Sequence, residues 1–121
     1  MNHTSSEALA DIIIKGIEEK KGNQIVLLDL RDISSAVCDF FVICHGNSDT
    51  QVKSIAESVE DEVRIQLQEK PWHVEGKDNA EWILLDYSNV VVHVFQKENR
   101  DFFKLEDLWA DAKATHIKSE E

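Results

Sequence analysis

Apolar and polar residues alternate along this chain with a period that changes from block to block, and each change marks a predicted element. Leu9, Ile12, Ile13, Gly16 and Ile17 recur at the spacing of one helical face. Ahead of them Thr4-Ser5-Ser6-Glu7 has the form of a capping box; behind them Lys20-Lys21-Gly22 supplies a basic last turn and a left-handed stop. Gln24 to Leu30 is a short, nearly continuous apolar run, the pattern of a strand buried on both faces. Arg31 to Asp39 breaks that pattern, and Phe40 to His45 reads as a second strand. After the turn Gly46-Asn47-Ser48, the box-like Ser48-Asp49-Thr50-Gln51 opens an amphipathic helix predicted to run to about Lys70. Val52, Ile55, Ala56, Val59, Val63 and Leu67 line its apolar face, while Lys53, Glu57, Glu60, Asp61 and Arg64 fall among its polar positions. Pro71 closes it, because proline disfavours the helical conformation of the residue before it. His73 to Glu75 reads as a short strand, and Gly76 to Ala80 as a polar turn.

Trp82 to Tyr87 and Val90 to Gln96 are rich in β-branched and aromatic residues and flank Ser88-Asn89, where asparagine tolerates the positive φ of a tight hairpin turn. A two-residue loop pairs Tyr87 with Val90, Leu85 with Val92 and Ile83 with Val94, which makes one face wholly apolar. The other face sets Trp82 opposite Phe95, Leu84 opposite His93 and Asp86 opposite Val91. The first face is expected to be core; the second is expected to be covered partly by a helix and to be partly open to a partner. Beyond the hairpin, Asn99 is placed to cap a last helix in which Phe102, Leu105, Leu108 and Trp109 form a core stripe. From Lys113 onward the chain is polar and expected to fray, so residues 1–112 read as one domain and 113–121 as a tail.

Composition narrows the function. A length of 121 residues with 42% hydrophobic content suits one domain. With 24 acidic against 13 basic residues the formal charge is −11, which offers no footprint for naked nucleic acid and favours a basic partner. Cys38 and Cys44 stand ~20 Å apart across an extended segment, too far to bridge. They are expected to be free thiols in a reducing compartment, with Cys44 a small buried hydrophobe. No apolar run approaches the ~20 residues that cross a bilayer. The first residues carry no basic start, long apolar block or arginine, so a cytoplasmic protein without a membrane partner is expected.

Catalytic chemistry is hard to assemble from these residues. His45, His73 and His93 sit on separate strands and turns, and no pair has the i, i+4 helical spacing of a zinc site. His93, among valines, reads as a hydrogen-bonded or partly buried ring rather than a general base. Asp29 and Asp32 fall on opposite faces of an extended segment, whereas metal-dependent nucleotidyl transfer wants acids at i, i+2. Asp39 is better read as a turn cap or a partner of Arg31 than as a metal ligand. The order strand, Gly46 to Ser48 turn, helix can hold a phosphate, but one glycine is short of any phosphate-binding motif and Asp49 would repel the anion. No cofactor and no catalytic residue is assigned. What remains is the mixed hairpin face, where Trp82, Leu84 and Asp86 span ~14 Å of strand. Tryptophan is enriched at interface hot spots, and Asp86 with Glu75, Asp78 and Glu81 would complement a basic surface. The alternative buries Trp82 beneath the last helix against Phe95 and Trp109; periodicity does not choose between them.

Three segments carry a family resemblance: DFFVICHGNSDTQVKSIA from Asp39 to Ala56, VEGKDNAEWILLDYSNVVVHVF from Val74 to Phe95, and RDFFKLEDLW from Arg100 to Trp109. They resemble the ribosomal silencing factor, or Iojap-like, family over nearly the whole chain. The Ser88-Asn89 turn replaces a Gly-Asp type pair common among relatives. The resemblance implies a single α/β domain with a mixed sheet of about five strands flanked by helices, similar to a nucleotidyltransferase core without its catalytic acids. It further implies a protein that is not an enzyme. Such a protein binds the large ribosomal subunit through a ribosomal protein on the subunit-joining face and sterically blocks the small subunit, lowering translation when nutrients are scarce. Trp82, Leu84 and Asp86 are then at or near the contact, with Glu81 and His93 beside them, and free copies can self-associate as homodimers. The competing reading is a nucleotidyltransferase-like small-molecule enzyme using Asp39 and the Gly46 to Ser48 turn.

Overall fold

The computed structural model describes residues 5–118. In chain order the elements are α1 (Ser6–Glu19), β1 (Asn23–Asp29), β2 (Phe40–Gly46), α2 (Asp49–Leu67), β3 (His73–Glu75), β4 (Trp82–Asp86), β5 (Val90–Gln96), α3 (Lys97–Phe103), α4 (Leu105–Leu108) and β6 (Lys113–His116). The strands form one six-stranded sheet in the order β3-β4-β5-β2-β1-β6, one more strand than the residue pattern suggests. Only β2 and β5 run parallel; every other neighbouring pair is antiparallel. This central pair is covered on both faces, which is why FFVICHG and VVVHVFQ are almost continuously apolar.

α1 and α2 cover one face. Leu9, Ile13 and Ile17 of α1 and Val52, Ile55, Val59 and Val63 of α2 bury themselves against Val42, Ile83, Leu85, Val92 and Val94 of the sheet. The hairpin face expected to be core is therefore the core. Gly16 lets the two helices meet: a Cβ there would lie 2.9 Å from Val59 Cα, and Ser58 Oγ donates to the Gly16 carbonyl at 2.7 Å. The other face holds a second cluster, Val26, Leu28, Ile43, Val91 and Phe95. It is covered by Leu30 and Cys38, with Ile33 and Ala36, from the connection after β1, and by Leu105 of α4, with Trp109 and Ala112 beyond it.

The local signals are partly reassigned. The Thr4 of the first capping box lies outside the described residues; the hydroxyl that caps α1 is that of Ser5, which accepts from Ala8 N at 3.1 Å. The left-handed residue after α1 is Lys21 (φ 56°), not Gly22. α2 ends at Leu67 with Gln68 left-handed (φ 54°), so the helix stops before Pro71 can act on it. In the hairpin the positive φ falls on Ser88 (78°), whose amide is held by Asp86 Oδ1 at 2.7 Å. Asn89 serves instead as a tie: its carbonyl accepts from the Asp39 amide at 2.8 Å and its side chain donates to Ser6 Oγ at 2.9 Å. Asp39 accepts from the Ser6 hydroxyl rather than pairing with Arg31, whose guanidinium goes to Asp29 and Glu7.

The largest corrections concern the end of the chain. Asn99 caps nothing; it lies inside α3, whose N-cap Gln96 makes no side-chain capping bond and instead donates its Nε2 to the Ala80 carbonyl at 3.1 Å. The expected last helix breaks at Lys104 (φ 49°), and this change of phase turns the stripe apart. Leu105 is buried, whereas Phe102 is 78% and Leu108 75% exposed. The expected fraying at Lys113 is also overturned: Lys113–His116 pairs antiparallel with β1 from Asp29 back to Val26. Its side chains are all exposed, because an edge strand is held here by the free amides and carbonyls of β1 and needs no apolar pattern.

Candidate docking face

Gly76 sets the start of the mixed hairpin face. Its φ is 88°, and a Cβ there would fall 1.9 Å from the Trp82 carbonyl oxygen, so only glycine lets the polar turn fold this closely onto β4. From Trp82 onward the register matches the alternation: Trp82 faces Phe95, Leu84 faces His93 and Asp86 faces Val91. The parallel pairing extends these rows onto β2, placing Phe95 beside His45, His93 beside Ile43 and Val91 beside Phe41.

Exposure rises toward the β4 side of this face. Phe95 and Ile43 are fully buried, Trp82, Leu84 and Asp86 are half-buried, and Glu81 is exposed. His93 is only 3% exposed and lies beneath Trp82. Trp82 Nε1 donates to His93 Nδ1 at 3.1 Å, which leaves the imidazole proton on Nε2 and the ring neutral. Burial pushes the His93 pKa down to about 3. The indole of Trp82 packs on Phe95 (centroids 4.7 Å apart) and on Phe103 of α3 (4.9 Å). The last helical segment does lean on Trp82, but through Phe103; Trp109 packs against Phe41 instead, at 5.6 Å. Aromatic contacts thus run continuously from Phe102 through Phe103, Trp82, His93 and Phe41 to Trp109.

Arg100 fixes α3 in place. It is 6% exposed, and its Nη1 donates to the Gln24 carbonyl at 2.8 Å and to His45 Nδ1 at 3.0 Å. Its Nε and Nη2 bond Glu106 of α4. Gln24 lies where the β1–β2 register shifts and has φ 47°, so the irregular backbone offers a carbonyl that the guanidinium takes up. Because a guanidinium only donates, His45 is neutral with its lone pair on Nδ1; burial first, then the Arg100 charge, lowers its pKa. Neither Arg100 nor Phe103 stands out by spacing. The one available signal was a basic residue beside two phenylalanines in RDFF.

At the Gly46 to Ser48 turn three of the amides a phosphate would use are already engaged. The Asn47 amide bonds Gln51 Oε1, the Gln51 amide bonds Ser48 Oγ and the Thr50 amide bonds Asp49 Oδ1. Among the described residues no cluster of three or more His, Cys, Asp or Glu is placed to hold a metal ion. Cys38 and Cys44 are free and buried, and burial raises their thiol pKa values to about 11 and about 12. No described helix is long and apolar enough to cross a membrane.

Residues 3–121 match the family model described as ribosomal silencing factor during starvation. The chain belongs to the ribosomal silencing factor family. It is 40% identical over 111 residues to a ribosomal silencing factor of Bacillus subtilis, covering 89% of this chain and 90% of the relative. To the one from Halalkalibacterium halodurans it is 38% identical over 117 residues, covering 94% and 96%. A crystal structure of a Chromobacterium violaceum protein superposes with a TM-score of 0.83 at 28% identity, covering 98% of both chains. The silencing-factor fold is therefore the mixed α/β architecture described above.

Proposed function

We propose that this silencing-factor chain binds the large ribosomal subunit through a basic ribosomal protein on the subunit-joining face and keeps the small subunit from docking, repressing translation when nutrients are limited. The observation that carries this reading, beside family membership, is the half-covered β4 face. There Trp82 and Leu84 offer apolar area, flanked by the carboxylates of Glu81 and Asp86. Such a face suits a partner whose lysine and arginine stems pack on apolar groups while their charges meet acids. Occlusion requires no turnover and no cofactor. His93, beneath the surface, contributes by holding the indole rather than by touching the partner.

Sucrose-gradient analysis of mixed ribosomal subunits, with and without the protein, tests both attachment and the block to joining. The wild-type chain is expected to migrate with the large subunit and to deplete joined ribosomes. Glu81→Lys, on an exposed side chain, should weaken co-migration with the melting temperature unchanged. Trp82→Ala should weaken it further and also lower the melting temperature, since the indole is packed on two phenylalanines. Joined ribosomes unaffected by excess wild-type protein would refute the reading.

A further inference from the structure

We propose that the α3–α4 corner, led by Phe102 and Leu108, is a second arm of the docking face and receives cationic side chains, chiefly arginine, of a basic protein surface. The proposal rests on the ribosome-binding reading and names a part of that contact lying outside β4. Phe102 and Leu108 are among the most exposed large apolar residues of the chain, and Phe103 beside them is 43% exposed. The two phenylalanines are not scattered. The Phe102 ring meets Phe103 edge-on with centroids 5.1 Å apart, and Phe103 in turn packs on Trp82, so the corner is continuous with the β4 face.

The corner is also held rigid. Arg100, on the same helix, is anchored to β1 and β2 and clamps α4 through Glu106, so Phe102 and Phe103 are presented on a fixed support and little ordering cost remains for binding. Electrostatics select the occupant. Lys97 pairs with Asp101 and Arg100 with Glu106, which leaves Glu98, Asp107 and Asp111 against Lys104 across residues 97–111. Glu81 adds a further carboxylate beside the Trp82 end. Aromatic faces beside unpaired carboxylates attract guanidinium groups through both the ring quadrupole and the charge. A nucleic-acid strand would bring phosphates toward those acids. A second copy of the chain would set two acidic surfaces, each from a molecule of formal charge −11, against one another.

The test uses the full chain and purified large subunits. Co-sedimentation is titrated for the wild type, the double variant Phe102→Ala with Leu108→Ala, the single variant Phe102→Glu, and Glu81→Lys as the β4 reference. Thermal melting and sedimentation equilibrium of the free proteins run in parallel. Because both side chains are largely in solvent, the double variant should melt like the wild type yet bind subunits on the order of tenfold more weakly. Phe102→Glu should bind at least as weakly. Undiminished binding by both corner variants, with Glu81→Lys impaired, would overturn the second arm while leaving the ribosome-binding reading intact. Corner variants that change self-association but not subunit binding would overturn it in favour of a second copy as occupant. Failure of the wild type to bind subunits at all would overturn the functional reading and this inference together.

Discussion

Trp82 and His93 work as a pair. The indole N–H donates to His93 Nδ1, and the imidazole is buried under the rings it supports. His93→Phe keeps a flat ring in the stack but removes the acceptor, leaving the indole N–H without its partner at a cost of about 1–3 kcal/mol. The indole proton resonance should shift and ribosome binding should weaken; His93→Asn, which keeps an acceptor near the Nδ1 position, should recover part of both. The same burial makes a pH prediction. Folded His93 and His45 stay neutral where the unfolded chain already takes up protons, so their contribution is whole above the ordinary histidine pKa of about 6.5 and is lost as pH falls below it. For His93 the loss continues toward about 3, at up to about 1.4 kcal/mol per pH unit for each ring. Asp29 and Asp101 are held low by Arg31 and Lys97, so their own losses begin as pH falls into the ordinary carboxylate range of about 4 and continue below it. Denaturant unfolding at pH 7 and pH 5 should therefore show a loss in the wild type and a smaller one in His93→Phe.

Arg100 matters through the elements it joins. One guanidinium ties α3 to a carbonyl freed by the β1 irregularity, to the His45 ring on β2 and to Glu106 on α4. Arg100→Lys keeps the charge but not the planar fork, and Arg100→Met keeps neither. Either should cost about 2 kcal/mol or more through the unpaired groups left behind. Backbone amides of α3 and α4 should exchange with deuterium faster, while those of α1 and α2, in the opposite layer, keep their protection. Loss of protection spread evenly over both layers would contradict this division. The hairpin, by contrast, was legible down to its register: a period of two over two runs of β-branched residues leaves one solution once the loop is short. The segment after it was not. Phe102, Leu105, Leu108 and Trp109 have helical spacing, but a left-handed Lys104 breaks the phase, and nothing in KLED announces that break.

Across the whole molecule, the layers are unequal. α1 and α2 seal one face of the sheet, while short helices and a connecting loop leave the other partly open. An acidic face that recruits a basic partner should be steered by charge, so raising salt from about 50 to 300 mM should slow association more than it speeds dissociation. Surface-bound large subunits titrated with the chain at several ionic strengths would read this directly. Salt-independent association would point to a contact dominated by apolar area.

The pattern of residues determined the core: two amphipathic helices, five of the six strands at nearly their full extent and the pairing within the hairpin follow from periodicity, because burial imposes a period on side chains. It also marked Trp82, Leu84 and Asp86 as sharing one face. Only tertiary structure decided what covers that face. Pairing of Lys113–His116 with a free strand edge is a backbone event that leaves no apolar signature. Likewise, the burial of Arg100 and His93 and the exposure of Phe102 depend on neighbours distant in the chain, whose positions no local spacing encodes.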